Sequence, residues 1–229
     1  LRDICDVNKL FLIEDAAHAL PAYYRGTIIG SCEYSDITCF SFYANKTLTT
    51  GEGGMLTTNN ERIAEHLQLS RSHFMDKHAW NRFSSDSKTW EYDVTGLGHK
   101  FNLSDLNAAI GRVQLKKQKS FSLKRANADK LYRQLLKGYE YIELTKFSEF
   151  NDSAYHLFQI RVDARDELFN FLKLHGINCS VHYKPVHLMS YYKAQKFDTH
   201  HLENTEEIGK RVLSLPLFPS MTKEQVAFV

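Results

Sequence analysis

Residues 9–20 read KLFLIEDAAHAL. A continuous apolar run ends in Glu14 and Asp15. Such a run fits a strand over Leu10–Glu14 buried on both faces, and that burial belongs to a parallel α/β sheet covered by helices. Asp15 then falls at the carboxyl end of the strand, where sheets of this kind place their ligands. A short helix tail over Leu1–Val7 precedes it. A second strand is expected over Ser35–Phe42, with Thr38, Phe40 and Phe42 alternating against Ile37, Cys39 and Ser41. A third, short strand is expected over Gly54–Asn59.

Between the second and third strands lies SFYANKTLTTGEGGML, Ser41–Leu56. It sets one lysine, Lys46, just past a strand end. Hydroxyls at Ser41, Thr47, Thr49 and Thr50 surround it, and glycines at 51, 53 and 54 allow close backbone approach. Most lysines are solvated surface groups. A lysine in a partly desolvated site, however, has a lowered pKa and forms a Schiff base with an aldehyde. Asp15 read alone is a helix N-cap after a strand. Paired with Lys46 at the ends of strands of one sheet, it would hold a pyridine nitrogen protonated, so that the ring accepts electrons. His18 lies one helical turn further on, as a packing histidine or a neighbour of that ring. Ser41 is a strand hydroxyl or a phosphate donor.

The remainder reads as follows. Asn60–His73 is an amphipathic helix with Ile63, Leu67 and Leu69 inward. Met75–Gly98 is a long aperiodic loop of the kind that is usually functional. Ser104 caps a helix whose apolar stripe is Leu106, Ile110 and Val113. A polar helix over Lys116–Leu136 leads into a second domain. There, Tyr155–Val162 is a strand, and Ala164–Ile177 a helix stopped by Gly176. NCSVHY (178–183) is a further strand, and NTEEIGKRVLSLPLF a helix ending before Pro216. Thr222 and Gln225 have capping-box spacing. The domains are expected at 1–125 and 126–229. Both ends look cut, as in a fragment that lacks an N-terminal part.

The chain has 229 residues and a formal net charge of +2, from 29 basic and 27 acidic side chains. That balance gives no reason to expect nucleic acid or an anionic membrane. The four cysteines, Cys5, Cys32, Cys39 and Cys179, have no zinc spacing and read as free thiols of a reducing compartment. No membrane span and no metal site are expected, and the chain reads as cytoplasmic.

EDAAHAL, CFSFYANKTLTTGEGGML, GHKFNLSDLNAAIG, YHLFQIRV, GINCSVHYKPVHLMSYY and RVLSLPLFPSMT together resemble the DegT/DnrJ/EryC1/StrS family. These are pyridoxal-phosphate-dependent aminotransferases acting on keto sugars, and the likeness runs over essentially the whole chain. It implies an α/β, aspartate-aminotransferase-like fold of fold type I. The chain would hold part of the large, mostly parallel domain and a small α+β C-terminal domain. It implies that Lys46 is the Schiff-base lysine, Asp15 the acid at the pyridine nitrogen, His18 a residue beside the ring and Ser41 a phosphate hydroxyl. Lys100 stands where many members carry an asparagine that reaches the partner subunit's phosphate. His182, Tyr183 and His187 lie in a segment that borders the sugar.

The resemblance further implies a homodimer, an amino-acid donor (most often glutamate), and a nucleotide-linked 4-keto sugar on the way to a cell-surface polysaccharide. A sugar dehydratase-like relative, or an inactive fragment, is the alternative.

Overall fold

The computed structural model describes residues 1–76, 92–195 and 202–229. The chain folds into two units, one of Leu1–Gln118 with Phe150–Ala154, the other of Lys119–Glu149 with Tyr155–Val229.

In the first unit, helix α1 (Arg2–Asn8) leads to strand β1 (Ile13–Asp15), and β4 (Ile37–Ser41) lies beside it in parallel. Strand β5 (Gly54–Thr57) completes the sheet antiparallel to β4, in the order β1-β4-β5. The entry to β1 is tied down by Asp36. Its carboxylate accepts the Leu12 N–H at 2.7 Å and the Arg2 guanidinium at 2.9 Å. Helix α2 (Glu61–Ser70) begins at Asn60, whose side chain accepts the Ile63 N–H and satisfies one otherwise unpaired donor of the first turn. A second small sheet joins β2 (Tyr23–Tyr24), β3 (Thr27–Ile28) and β7 (Asn151–Asp152), with β2 in the middle and both pairings antiparallel.

The apolar run before Asp15 is not buried on both faces. Phe11 is 75% and Ile13 62% exposed, and within the described residues β1 pairs along one edge only. The loop expected over Met75–Gly98 falls, for residues 77–91, outside the described residues.

Helix α3 (Asp105–Leu135) is one unbroken helix of 31 residues. Ser104 caps it by accepting the Asn107 N–H at 3.2 Å. The stripe of Leu106, Ile110 and Val113 is present on it and exposed.

The second unit holds an antiparallel sheet of β6 (Glu143–Leu144), β8 (Phe158–Arg161) and β9 (Val212–Leu215), with β8 central. Its core joins Ala128 and Tyr132 of α3 to Phe158, Ile160, Leu213 and Leu215 of the sheet and Leu172 of helix α4 (Arg165–Leu174). The rings of Tyr132 and Phe158 stack at 4.6 Å, and the Tyr132 hydroxyl donates to the Pro216 carbonyl at 2.9 Å. Gly176 follows α4 at φ 76°, the left-handed stop that a glycine takes without strain. Arg125 is buried and lends one guanidinium nitrogen to the carbonyls of Tyr155, His156 and Leu217. Burial pushes its pKa down.

Two elements differ from the sequence reading. Val212–Leu215 is strand β9, not the end of a helix: α6 (Glu203–Arg211) stops at Arg211, and all four strand residues are buried against β8. The segment NCSVHY forms a single bridge, Ser180 to Ser214, in place of a strand. Beyond it the His182 carbonyl accepts the Gln159 side-chain amide at 2.9 Å, so the bond goes to a side chain instead of a ladder. A 3-10 turn (Val186–Leu188) and α5 (Ser190–Ala194) follow. The chain ends in α7 (Lys223–Phe228), where the Thr222–Gln225 capping box closes as its spacing predicts.

Candidate active site

Asp15 and Ser41 are the last residues of two neighbouring parallel strands. Asp15 lies opposite Cys39, and Ser41 is two residues further along β4. Burial, and then the negative charge of Asp15, push the Cys39 thiol pKa up. One oxygen of Asp15 accepts the Ala17 N–H at 3.0 Å, the local turn that its position after a strand favours. Ser41 Oγ accepts the Tyr43 N–H at 3.3 Å. His18 is half-buried in the loop after β1.

Lys46 stands on the loop between β4 and β5 and is half-buried. The loop closes on itself. Phe42 N–H donates to the Gly53 carbonyl at 2.8 Å, and the Phe42 carbonyl receives the Thr50 N–H at 3.0 Å and the Thr49 hydroxyl at 3.2 Å. Lys46 N–H donates to the Tyr43 carbonyl at 3.0 Å. Thr47, Leu48 and Thr50 are buried. The sequence therefore folds the lysine's neighbours inward.

On one face of the same sheet, Glu14, Thr38 and Thr57 stand in one row across the three strands. Thr38 is fully buried and its hydroxyl donates to Glu14 at 3.1 Å, with Ser35 a second donor at 3.3 Å. The Cys32 thiol donates to the Thr57 carbonyl at 3.2 Å.

A model of the DegT/DnrJ/EryC1/StrS aminotransferase family matches residues 1–229. The chain belongs to this family. Among its relatives, SpsC of Bacillus subtilis, described as a spore coat polysaccharide biosynthesis protein, is 39% identical over 227 residues, 96% of this chain and 58% of SpsC. An uncharacterized protein of Methanocaldococcus jannaschii is 38% identical over 95% of this chain and 57% of its own length. In structure the chain is similar to DesV of S. venezuelae, solved with a ketimine intermediate. The TM-score is 0.86 at 31% identity, over 99% of this chain and 58% of DesV. It is also similar to PseC of Helicobacter pylori, an aminotransferase of pseudoaminic acid biosynthesis. There the TM-score is 0.87 at 29% identity, over 99% of this chain and 59% of PseC. The chain thus spans somewhat over half the length of the relatives it matches. Its fold is that of the family's pyridoxal-phosphate-dependent, fold type I aminotransferases.

The other residues singled out in the DegT/DnrJ/EryC1/StrS resemblance are placed as follows. Lys100 is exposed and forms a backbone bridge with Ser72. In the second unit, His182 Nδ1 lies 2.8 Å from Ser214 Oγ on β9. His187 Nε2 lies 3.1 Å from Glu206 on α6, and Tyr183 is exposed. Glu14, Leu20 and Gln118 were not singled out in the sequence. For Gln118 the one available signal is its spacing from Asn107 and Gly111, which puts all three on one side of a helix.

All four cysteines are unpaired, and only Cys5 is buried. Among the described residues no three His, Cys, Asp or Glu side chains form a metal cluster, and no helix is long and apolar enough to cross a membrane.

Proposed function

We propose that the protein carrying this chain is a pyridoxal-phosphate-dependent aminotransferase. In this reading it takes an amino group from an amino acid, glutamate, and transfers it to a keto sugar, nucleotide-linked and ketonic at carbon 4. The arrangement at the carboxyl end of β1 and β4 carries the proposal: a carboxylate and a hydroxyl on adjacent parallel strands, with a lysine on the loop that follows. This donor set suits the cofactor in kind, offering an amine for an aldehyde, a carboxylate for a pyridine nitrogen and a hydroxyl for a phosphate. When bound, pyridoxal phosphate supplies an electron sink for the carbanion formed beside the transferred amino group.

The chain's residues do the rest. Lys46 Nζ would hold the cofactor's aldehyde and would serve as general base and then acid for the proton on the reacting carbon. Asp15 keeps a proton on the ring nitrogen by pairing with it. Ser41 Oγ would donate to the phosphate, and His18 would lie beside the ring. Lys100 would hold phosphate as a point charge across a homodimer. His182, Tyr183 and His187 belong to the sugar. Retention of Lys46 favours amino transfer over a dehydratase-like reaction, which dispenses with that amine. The name of the Bacillus relative, a spore coat polysaccharide biosynthesis protein, supports a surface polysaccharide as the destination of the product.

The deciding experiment loads the protein with pyridoxal phosphate, reduces it with borohydride and maps the pyridoxyl group by peptide mass. The group is expected on Lys46, with amino transfer from glutamate to a nucleotide-linked keto sugar. A protein that takes up no cofactor, or carries it on another lysine, overturns the reading.

A further inference from the structure

The carbonyl of Leu20 receives two hydrogen bonds from distant parts of the chain. The Thr47 hydroxyl donates to it, and Gln118 Nε2 donates to it at 2.9 Å. Both donors are buried, each 7% exposed. One partner, Thr47, is the residue next to Lys46. The acceptor lies in the segment that carries Asp15 and His18. The third member comes from α3.

Gln118 does not act alone on that helix. Asn107 Nδ2 donates to the Glu52 carbonyl at 3.2 Å, and the buried Thr50 hydroxyl donates to the same carbonyl at 2.6 Å. Gly111 lies so close to the loop that a Cβ there would stand 2.9 Å from Thr50 Cγ2. At 3.6 residues per turn, positions 107, 111 and 118 fall within about 40° of one another around the helix axis. One face of α3 therefore grips the Lys46 loop at Thr50 and Glu52, and the Leu20 carbonyl from which Thr47 hangs.

Gln118 Oε1 is buried and has no hydrogen-bond partner among the described residues. Flipping the amide would set this oxygen against the Leu20 carbonyl, acceptor to acceptor, so the observed orientation is the one that pairs. A buried, unpaired acceptor is a cost that an apolar side chain of the same size would avoid. What Gln118 gives in exchange is its bond to Leu20.

We infer that Thr47 and Gln118 are positioning residues for Lys46, joined through the Leu20 carbonyl, which fixes the lysine's loop to the segment following Asp15. The inference rests on the cofactor reading above, in which an amine and a carboxylate must hold one ring between them. Losing either donor lets the lysine's loop move relative to the Asp15 segment.

The test uses Thr47→Val, Thr47→Ser and Gln118→Met. Three quantities are read: pyridoxal phosphate retention on dialysis, the pH midpoint of the bound cofactor's visible absorption, and the urea midpoint of unfolding. Thr47→Val and Gln118→Met are expected to weaken retention roughly 5- to 30-fold, the factor that one lost hydrogen bond to a buried acceptor corresponds to. They should also shift the absorption midpoint, while Thr47→Ser keeps both at parental values. Parental retention and midpoint in Thr47→Val and Gln118→Met overturn the inference. So does loss of retention only in step with unfolding, with Thr47→Ser no better than Thr47→Val. Gln118→Met approaches the carbonyl from the other side and decides the matter if Thr47→Val does not fold. If the parent itself carries no cofactor on Lys46, the functional reading falls and this inference with it; a loaded parent with unaffected variants removes the inference alone.

Discussion

Thr38 and Glu14 stand opposite one another in β4 and β1, and the buried Thr38 hydroxyl donates to the Glu14 carboxylate at 3.1 Å. Asp15 is the next residue along. A shift of one position in a strand's pairing turns every side chain to the opposite face. The Thr38–Glu14 pair therefore holds the register that puts Asp15 opposite Cys39. Replacing Thr38 by valine keeps the shape and removes the donor, leaving Glu14 with Ser35. Urea unfolding of Thr38→Val should show a loss of about 0.5–1.5 kcal/mol, the net contribution of one hydrogen bond to a part-buried acceptor that keeps a second donor.

Asp15→Asn keeps the size of the side chain and removes its charge. In the proposed reaction the ring nitrogen then loses the anion that keeps it protonated. Its pKa should fall by roughly 1–3 units, as for any ionisable group deprived of an opposite charge at contact distance. A pH titration of the bound cofactor's spectrum reads this shift. An unchanged titration would separate Asp15 from the ring.

Asp36 gives the first unit an acid-sensitive clasp. The Leu12 N–H, first, and the Arg2 guanidinium, second, hold its carboxyl below the ordinary value of 3.8. A carboxyl with a depressed folded-state pKa adds stability that is present above 3.8 and lost as pH falls through its lower, folded value. Asp36→Asn should therefore be less stable than the parent near neutrality and show a flatter loss of stability below pH 3.8. Thermal unfolding across that range, read side by side for both proteins, measures it.

Leu213 is the centre of the second unit's core and is fully buried. Leu213→Ala should destabilise that unit by about 2–5 kcal/mol, the transfer and cavity cost of truncating a buried leucine. Denaturant titration followed by the ellipticity of the chain reads the change. Phe171, on α4 but exposed, provides the control: Phe171→Ala should change stability by less than about 0.5 kcal/mol.

The parts of the fold legible in the sequence are those where local chemistry and final environment agree. Thr222 and Gln225 specify a cap by themselves, and Ser104 and Asn60 do the same at the helices they begin. The β-branched and aromatic run from Ile37 through Phe40 is written into β4, which ends at Ser41. Asp15 could be placed at a strand end because the apolar run before it stops there, whereas Ser41 reads as interior to a strand that in the structure ends on it.

Illegible parts depend on partners far away in sequence. Val212–Leu215 extends an amphipathic helix with further apolar residues, and nothing local marks the switch to strand; β8, more than 50 residues earlier, supplies the ladder. His182 leaves the ladder because Gln159 takes its carbonyl. The junction at Leu20 was invisible for the same reason. It joins residues 27 and 98 positions apart, and a backbone carbonyl leaves no mark in a sequence. The apolar run before Asp15 reads as buried, yet burial depends on what packs over the sheet's faces, which a local run does not record.

Residues 150–154 return to the first unit after the chain has already contributed 119–149 to the second, and there β7 pairs with β2. The two units are thus interleaved along the polypeptide. A fragment cut at Gln118 would amputate a strand from the hairpin that begins three residues after Leu20, and no single excision yields either piece whole. Shuffling these halves between relatives calls for three splice points, after Gln118, after Glu149 and after Ala154, not one.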